Sequence, residues 1–477
     1  MTSAKLPDAN YINGQWVKSG TELLSVRNKY DQSLLSEVPK ASISQMETAI
    51  ASSQKGFQEM KAWSAGKRSE KLYQLKELLH QEAEFFAQLI SAEAGKPIQY
   101  ARGEIARCQT TLEFAAAEAL RFSGEAIPID FAAGEGRTAL TRRFPIGPIA
   151  AISPFNFPLN LALHKIAPAL AVGCSIVLKP SPYAPLTALA FAGLIEQVGY
   201  PAGAVNVLMC DIPVAEKLVR DDRMHMLSFT GSPKVGWHLK EICGKKKVTL
   251  ELGGNAAVVV DHTAKLEEAA HKIAVGAFLY AGQICISTQR IYVERAIFDR
   301  FIPLLVAEIE KIQSGNPADE AILNGPVIDK AHFERIASWV DAAQKEGAKV
   351  LTGGKAIEAD RFVYAPTLLT ATRNEMKVVS EEVFGPVAIV EAVADFDAAI
   401  AAVNDSQYGL QAGVFTNSVD HMKQAHNELE VGGLMINNIP GFRVDSMPYG
   451  GVKSSGFGRE GLRYAMEEMT EPRLLVY

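Results

Sequence analysis

Apolar positions along the chain fall into two textures. Residues 43–62 ("ISQMETAIASSQKGFQEMKA") and 67–94 ("KRSEKLYQLKELLHQEAEFFAQLISAEA") set apolar side chains three and four apart, the spacing of one helix face. A third helical pattern follows "GKP", over residues 101–122. From residue 147 the pattern shortens. Apolar runs such as "PIAAIS", "SIVLKP", "VNVLMC" and "MLSF" alternate with helix-like segments, which predicts parallel strands with helices on both faces. The alternation pauses at "ELGGN" (251–255). It resumes with a helix over 264–281, a strand over 290–294 and a helix over 296–313. A chain of 477 residues is too long for one core, so two α/β domains with a seam near residue 253 are expected.

Composition narrows the class. Hydrophobic residues make up 48% and charged residues 21%, the balance of a soluble globular protein. A net charge of -6 with no dense Lys/Arg block speaks against a nucleic-acid surface, and "KKK" at 245–247 reads as a solvated lead into a strand. The longest apolar stretch, "IAPALAVGCSIVL" (166–178), contains Pro168 and lies between Lys165 and Lys179. It is too short to span a bilayer, so no membrane partner is expected. The first residues, "MTSAKLPDAN", carry no apolar core of a signal peptide. The five cysteines (Cys108, Cys174, Cys210, Cys243, Cys285) stand more than 30 residues apart without a CxxC, giving neither a disulfide framework nor a metal site. A reducing, cytoplasmic setting is expected.

Several stretches carry chemistry. "GEGRTA" (134–139) matches G-x-G-x-x-A, but no strand feeds it and no helix leaves it, so it reads as a turn between β-like segments. A better phosphate site is "MLSFTGSPKVGWHLKEICG" (226–244). There a strand runs into Thr230-Gly231-Ser232 and a helix opens at Pro233, with Ser232 as its N-cap. Lys179 ends a strand, where α/β sheets bind ligands. In "SPFNFPLN" (153–160), Asn156 sits in a rigid apolar loop and is placed to donate to a developing oxyanion. In "LELGGN" (250–255), Glu251 ends an apolar strand, and such surroundings raise a carboxyl pKa toward that of a general base. "EEVFGPV" (381–387) brings Glu382 and Phe384 to another strand. "YAGQICISTQ" (280–289) holds Cys285, by itself either a buried hydrophobe or a nucleophile.

In order, spacing and total length these stretches resemble the aldehyde dehydrogenase superfamily across the whole chain. The resemblance implies a Rossmann-like cofactor domain (1–124 and 146–253), an α/β catalytic domain (254–452), and a small β oligomerisation arm with the C-terminal segment (125–145 and 453–477). It implies a homodimer or homotetramer. Cys285 corresponds to the nucleophile, Glu251 to the general base, and Asn156 with the Cys285 amide to the oxyanion hole. Lys165 and Glu460 fall at positions with structural or proton-relay roles. For the dinucleotide the resemblance implies Lys179, Gly231, Ser232, Glu382 and Phe384, with Ile152, Pro154, Phe155, Ser181, Gly236 and Leu252 around them.

The choice between NAD and NADP stays open. NAD-preferring relatives carry a glutamate three residues after the lysine, and here Pro182 stands there, so NADP is not repelled and use of both is expected. Around the aldehyde the resemblance implies Arg107, Phe157, His164, Ile284 and Arg443. Arginine favours anions through its fork of donors, and "FRVDSMPYGGVKSSGFGREG" resembles lactaldehyde, succinic semialdehyde and phosphonoacetaldehyde dehydrogenases. Phosphate-handling relatives carry arginine just before the nucleophile, where this chain has Ile284, which speaks against a doubly charged substrate. A small hydroxylated or mono-anionic aldehyde is therefore expected. The alternatives are a broad-range enzyme, in which both arginines are structural, and a non-catalytic homologue. Glu251 favours hydrolysis over transfer to CoA, and no histidine motif accompanies Cys285 as a cysteine hydrolase needs.

Overall fold

Before the first helical pattern come four strands that apolar spacing did not suggest: Asn10–Ile12, Gln15–Val17, Leu23–Arg27 and Leu34–Pro39. The first two pair through Asn13-Gly14, both at positive φ (53° and 72°), a two-residue turn that Asn-Gly favours. The computed structural model describes residues 6–477, so residues 1–5 of the stretch read for a leader lie outside it.

Helix Ile43–Met60 opens with a capping box. Ser42 Oγ accepts the Gln45 amide at 3.3 Å, and Gln45 Oε1 accepts the Ser42 amide at 2.7 Å. The pattern over 67–94 proves to be two helices, Ala65–Gln81 and Ala83–Ala94, meeting at Glu82 (φ −101°, ψ 13°). The break re-aims the apolar stripe: Leu72, Leu75 and Leu79 of one helix, and Phe86 and Ile90 of the next, are buried in one cluster with Leu112 of helix Ile98–Arg121. That fourth helix begins three residues before the expected start, directly after Pro97. The helix expected over 264–281 stops at Phe278, because Tyr280 and Ala281 turn left-handed (φ 54° and 52°). The helix expected over 296–313 spans Arg295–Glu310.

Two sheets organise the rest. In the first, Val205–Val207, Ile176–Lys179, Ile149–Ile152, Met226–Thr230 and Lys247–Glu251 run parallel in that spatial order. The N-terminal hairpin flanks one edge. Gly456–Phe457, from the segment expected to travel with the arm, flanks the other antiparallel. The second sheet has the order Lys349–Thr352, Thr367–Thr370, Val387–Val393, Arg290–Glu294, Ala257–Val260, Gln411–Phe415, Gly433–Ile436. Lys349–Thr352 joins one edge antiparallel, and the central strands run parallel and largely apolar, as strands covered on both faces require; Val258, Val260, Ile291 and Val293 pack with Phe278, Phe301 and Leu305. A third unit pairs Ala126–Ile127, Ala139–Pro145 and Thr470–Val476. "GEGRTA" lies in the turn between its first two strands. No helix among the described residues is long and apolar enough to cross a membrane.

Candidate active site

The two central strands of the first sheet, Ile149–Ile152 and Met226–Thr230, are bonded neighbours whose connections depart to opposite sides. Diverging connections leave a crevice at the carboxyl ends of such strands. A cavity of about 570 Å³ fills it. Ile152, Pro154, Phe155, Asn156, Lys179, Ser181, Gly231, Ser232, Glu251, Leu252, Glu382, Phe384 and Cys285 all line it, together with Tyr183, His332, Arg335 and Trp339. Gly236 does not. A Cβ there would lie 2.3 Å from Leu252 Cδ2, so this glycine lets helix Pro233–Ile242 sit down on the sheet and does not face a ligand.

The residues around this cavity suit a nicotinamide dinucleotide. Ser232 caps helix Pro233–Ile242 without bonding to it, leaving the first amides to meet an anion. Burial lowers the Lys179 pKa, the mark of an ammonium held partly out of water. Glu382 accepts the Gly254 amide at 3.0 Å, and burial raises its carboxyl to about 7. Gly253 leaves room for the carboxyl in this position: a Cβ there would sit 2.2 Å from Glu382 Oε2 and push it aside.

A second cavity, of about 240 Å³, is lined by Lys96, Glu104, Arg107, Phe157, Asn160, Ile284, Arg443 and Tyr449, and again by Cys285. Cys285 therefore stands where the two cavities meet. It is partly accessible, whereas the other four cysteines are buried. Its loop is held from several sides. Tyr280 donates its hydroxyl to Ala94 O at 2.7 Å, and the Gln283 side chain binds the Ile328 amide and Pro326 O. Gly282, at φ 65°, passes so close to Gly385 that a Cβ would lie 2.2 Å from its carbonyl oxygen. Such bonds maintain the left-handed backbone at Tyr280 and Ala281, which costs about 1–3 kcal/mol per residue. Burial pushes the Cys285 thiol up to about 12, and a hydrogen bond with Tyr449 acts the other way.

Asn156 donates Nδ2–H to Gln283 O at 3.0 Å, which ties it to the cysteine loop, and its Oδ1 is buried without a partner. Glu251 is buried with both carboxyl oxygens unpartnered. Burial raises its pKa well above the ordinary carboxyl value, and the charge of Glu460 adds to the shift.

Behind both cavities lies a buried charge network. Lys165 Nζ meets Glu460 at 2.9 Å and also donates to Thr230 and Ser228. Burial alone would raise the Glu460 carboxyl, but Lys165 and Arg443 hold it well below the usual range. Asp445 accepts from Arg107 (2.7 Å), Thr111 (2.9 Å) and His164 Nε2 (2.9 Å). Those bonds outweigh burial and depress its pKa strongly. The His164 ring joins the two halves of this network: Nδ1 lies 2.7 Å from Arg443 Nη2 and 3.3 Å from Glu460 Oε2, and Nε2 lies 2.9 Å from Asp445 and 3.2 Å from Asn160 Nδ2. His164, expected in the substrate tunnel, is not among the residues that line it. It lies one turn deeper than Asn160 on helix Asn160–Val172 and points into the network.

The sequence did not single out Tyr449, Asp445, Lys96 or Glu104. Glu104 pairs with Lys96 at 2.5 Å and accepts the amides of Leu159 and Asn160 at 3.0 Å, fixing the start of the helix beside Cys285. Asp445 and Tyr449 lie in "FRVDSMPYGG", but nothing local announces partners 338 and 164 residues away.

The aldehyde dehydrogenase family model matches residues 16–475. A 3-sulfolactaldehyde dehydrogenase of Priestia aryabhattai is 44% identical, over 98% of this chain and 97% of its own. A lactaldehyde dehydrogenase of Methanococcus aeolicus is 36% identical, over 98% and 99%. Among solved structures, aldehyde dehydrogenase 21 from Physcomitrella patens, in complex with the reaction product succinate, is similar with a TM-score of 0.95. It is 38% identical and the match covers 98% of both chains.

Proposed function

The chain belongs to the aldehyde dehydrogenase family, and from that premise we propose that it oxidises a small mono-anionic or hydroxylated aldehyde to the acid on Cys285, using NAD or NADP. The observation that carries this is the position of Cys285, at the meeting of a cavity suited to a dinucleotide and a smaller one rich in cations. The Cys285 thiolate adds to the aldehyde carbon, and the new oxyanion is stabilised by the Asn156 amide and the Cys285 N–H. Asn156 has a second amide hydrogen beyond the one given to Gln283. Bound in the larger cavity, the nicotinamide supplies a two-electron acceptor for the aldehyde hydrogen. Loss of that hydrogen with its electron pair would leave a thioester on Cys285; water, giving its proton to Glu251, attacks the thioester carbon, and the C–S bond breaks to release the acid and the Cys285 thiolate. No protein donor competes for the Glu251 oxygens, and a raised pKa suits a base working near neutrality. Lys179, Ser232, Glu382 and Phe384 would hold the dinucleotide. Pro182 in place of a ribose-binding glutamate leaves room for either form.

Asn156→Ala should lower turnover by on the order of 10²–10³ with the melting temperature nearly unchanged. A loss below tenfold would remove Asn156 from the oxyanion hole.

The anionic substrate is supported by the smaller cavity, where Lys96, Arg107 and Arg443 face one carboxylate that Lys96 already occupies. Arg107 and Arg443 each keep a buried Nε that makes no hydrogen bond, although that of Arg443 lies 3.9 Å from Asp445. Two of the relatives above have names that point the same way, one through a sulfonated aldehyde and one through succinate as product. A second reading has its own support, since both arginines are also tied to Asp445: a broad-range enzyme in which they serve the fold. The test is NAD(P)H absorbance at 340 nm with lactaldehyde, glycolaldehyde, succinic semialdehyde, propanal, hexanal and benzaldehyde, using NAD and NADP. Small polar or anionic aldehydes should turn over best with either cofactor, and Arg443→Ala should raise KM more for succinic semialdehyde than for hexanal. Equal changes would favour the broad-range enzyme.

A homodimer or homotetramer fits the three-stranded unit, whose last strand exposes Leu474, Leu475 and Val476, followed by Tyr477. Such an apolar edge is suited to a second copy.

A further inference from the structure

Tyr449 Oη lies 3.2 Å from Cys285 Sγ. The tyrosine is 3% exposed and lines the smaller cavity beside the thiol. Its backbone is clamped by a reciprocal pair of bonds with Glu460, 3.0 Å from the Tyr449 amide and 2.6 Å to its carbonyl. The Arg443 guanidinium lies 3.5 Å from its ring centroid. This phenol is therefore fixed in place, and a cation sits against its π face.

Resting on Cys285 as the nucleophile, we propose that Tyr449 is a catalytic residue whose O–H donates to the Cys285 thiolate and stabilises it for attack. Two physical points fix the direction of the bond. A thiolate has no proton to give, so once Cys285 ionises only the phenol can be the donor. Burial holds the Tyr449 hydroxyl well above its ordinary pKa, so it keeps its proton while the thiol loses one. The Arg443 charge over the ring draws electron density from the phenol and strengthens the O–H as a donor. Arg443 thereby acts on the thiol through Tyr449, as a positioning residue, in addition to facing the aldehyde. This arrangement answers a difficulty of the site: burial opposes ionisation of Cys285, and no histidine supplies the base that cysteine hydrolases use. The charged groups that act on Sγ are Arg443, Glu382 and Glu251. All three remain in Tyr449→Phe, which keeps the ring and its stacking and removes only the hydroxyl.

The experiment is alkylation of the full-length protein by iodoacetamide as a function of pH, with the modified Cys285 peptide quantified by mass spectrometry. Wild type and Tyr449→Phe are compared, with Cys285→Ser assayed for aldehyde oxidation alongside. Hydrogen bonds to ionised groups set the scale: loss of the donor should slow Cys285 alkylation at pH 7 by about tenfold or more and move the inflection upward by about one pH unit. The kcat/KM for aldehyde should fall with the same pH shift. Overlaying alkylation profiles for the two proteins would overturn the role of Tyr449 and leave Cys285 as nucleophile untouched. Aldehyde oxidation persisting in Cys285→Ser would instead overturn the nucleophile, and the role proposed for Tyr449 with it.

Discussion

Cys285→Ala should abolish aldehyde oxidation, with kcat falling by about 10⁴-fold or more, because no other thiol lines either cavity to carry the acyl group as a thioester. The remaining cysteines are buried and line neither cavity. Stability should barely change. Cys285 is only partly buried, against Ile286, Leu410 and Tyr449, and loss of its sulfur removes little packing. The 340 nm assay and a thermal melt of the same preparation check both halves. Turnover within tenfold of wild type, in a protein of unchanged melting temperature, would remove the thiol from the mechanism.

Glu251→Gln should lower turnover by about 10²–10⁴-fold, the range spanned by general bases, through the step after the thioester forms. The acyl-enzyme should then accumulate. The pH dependence follows from the direction of the shift. Burial and Glu460 raise the Glu251 pKa, and a base works only when ionised, so wild-type turnover should fall as pH drops through that raised value. The limb should lie above the usual carboxylate range and be absent from the glutamine variant. The stability sign is opposite. A carboxyl whose folded pKa is raised favours the fold below its unfolded pKa and loses that contribution as pH climbs through the folded one. Glu251→Gln should therefore melt like wild type in acid and higher than wild type at alkaline pH. A pH–rate profile identical in both proteins would assign the base elsewhere.

What was legible in the sequence follows from how locally each feature is determined. Asn156, Glu251, Cys285, Lys179 and Glu382 sit in stretches where proline, glycine and apolar strand residues leave little conformational choice. The structure brings all five to one cavity. The alternation of apolar runs likewise predicted the parallel sheets. The N-terminal strands were missed because they are three to six residues long, although the Asn13-Gly14 turn was a usable hairpin signal. The break at Glu82 was missed because apolar spacing continues across it. His164 was misplaced because a helix position three residues on from Leu161 points to a different neighbour, here Asp445 and Glu460. Arg107 and Arg443 were named through the resemblance, whereas Asp445 and Tyr449 were beyond local reasoning. Their partners Arg107 and Cys285 lie 338 and 164 residues away, and only tertiary packing joins them.

The most direct test is the mass of Glu251→Gln after a single turnover with succinic semialdehyde and NAD or NADP. The covalent route predicts NAD(P)H release together with an acyl group on the Cys285 peptide, in equal amounts. NAD(P)H formed while Cys285 stays unmodified and open to alkylation would contradict it.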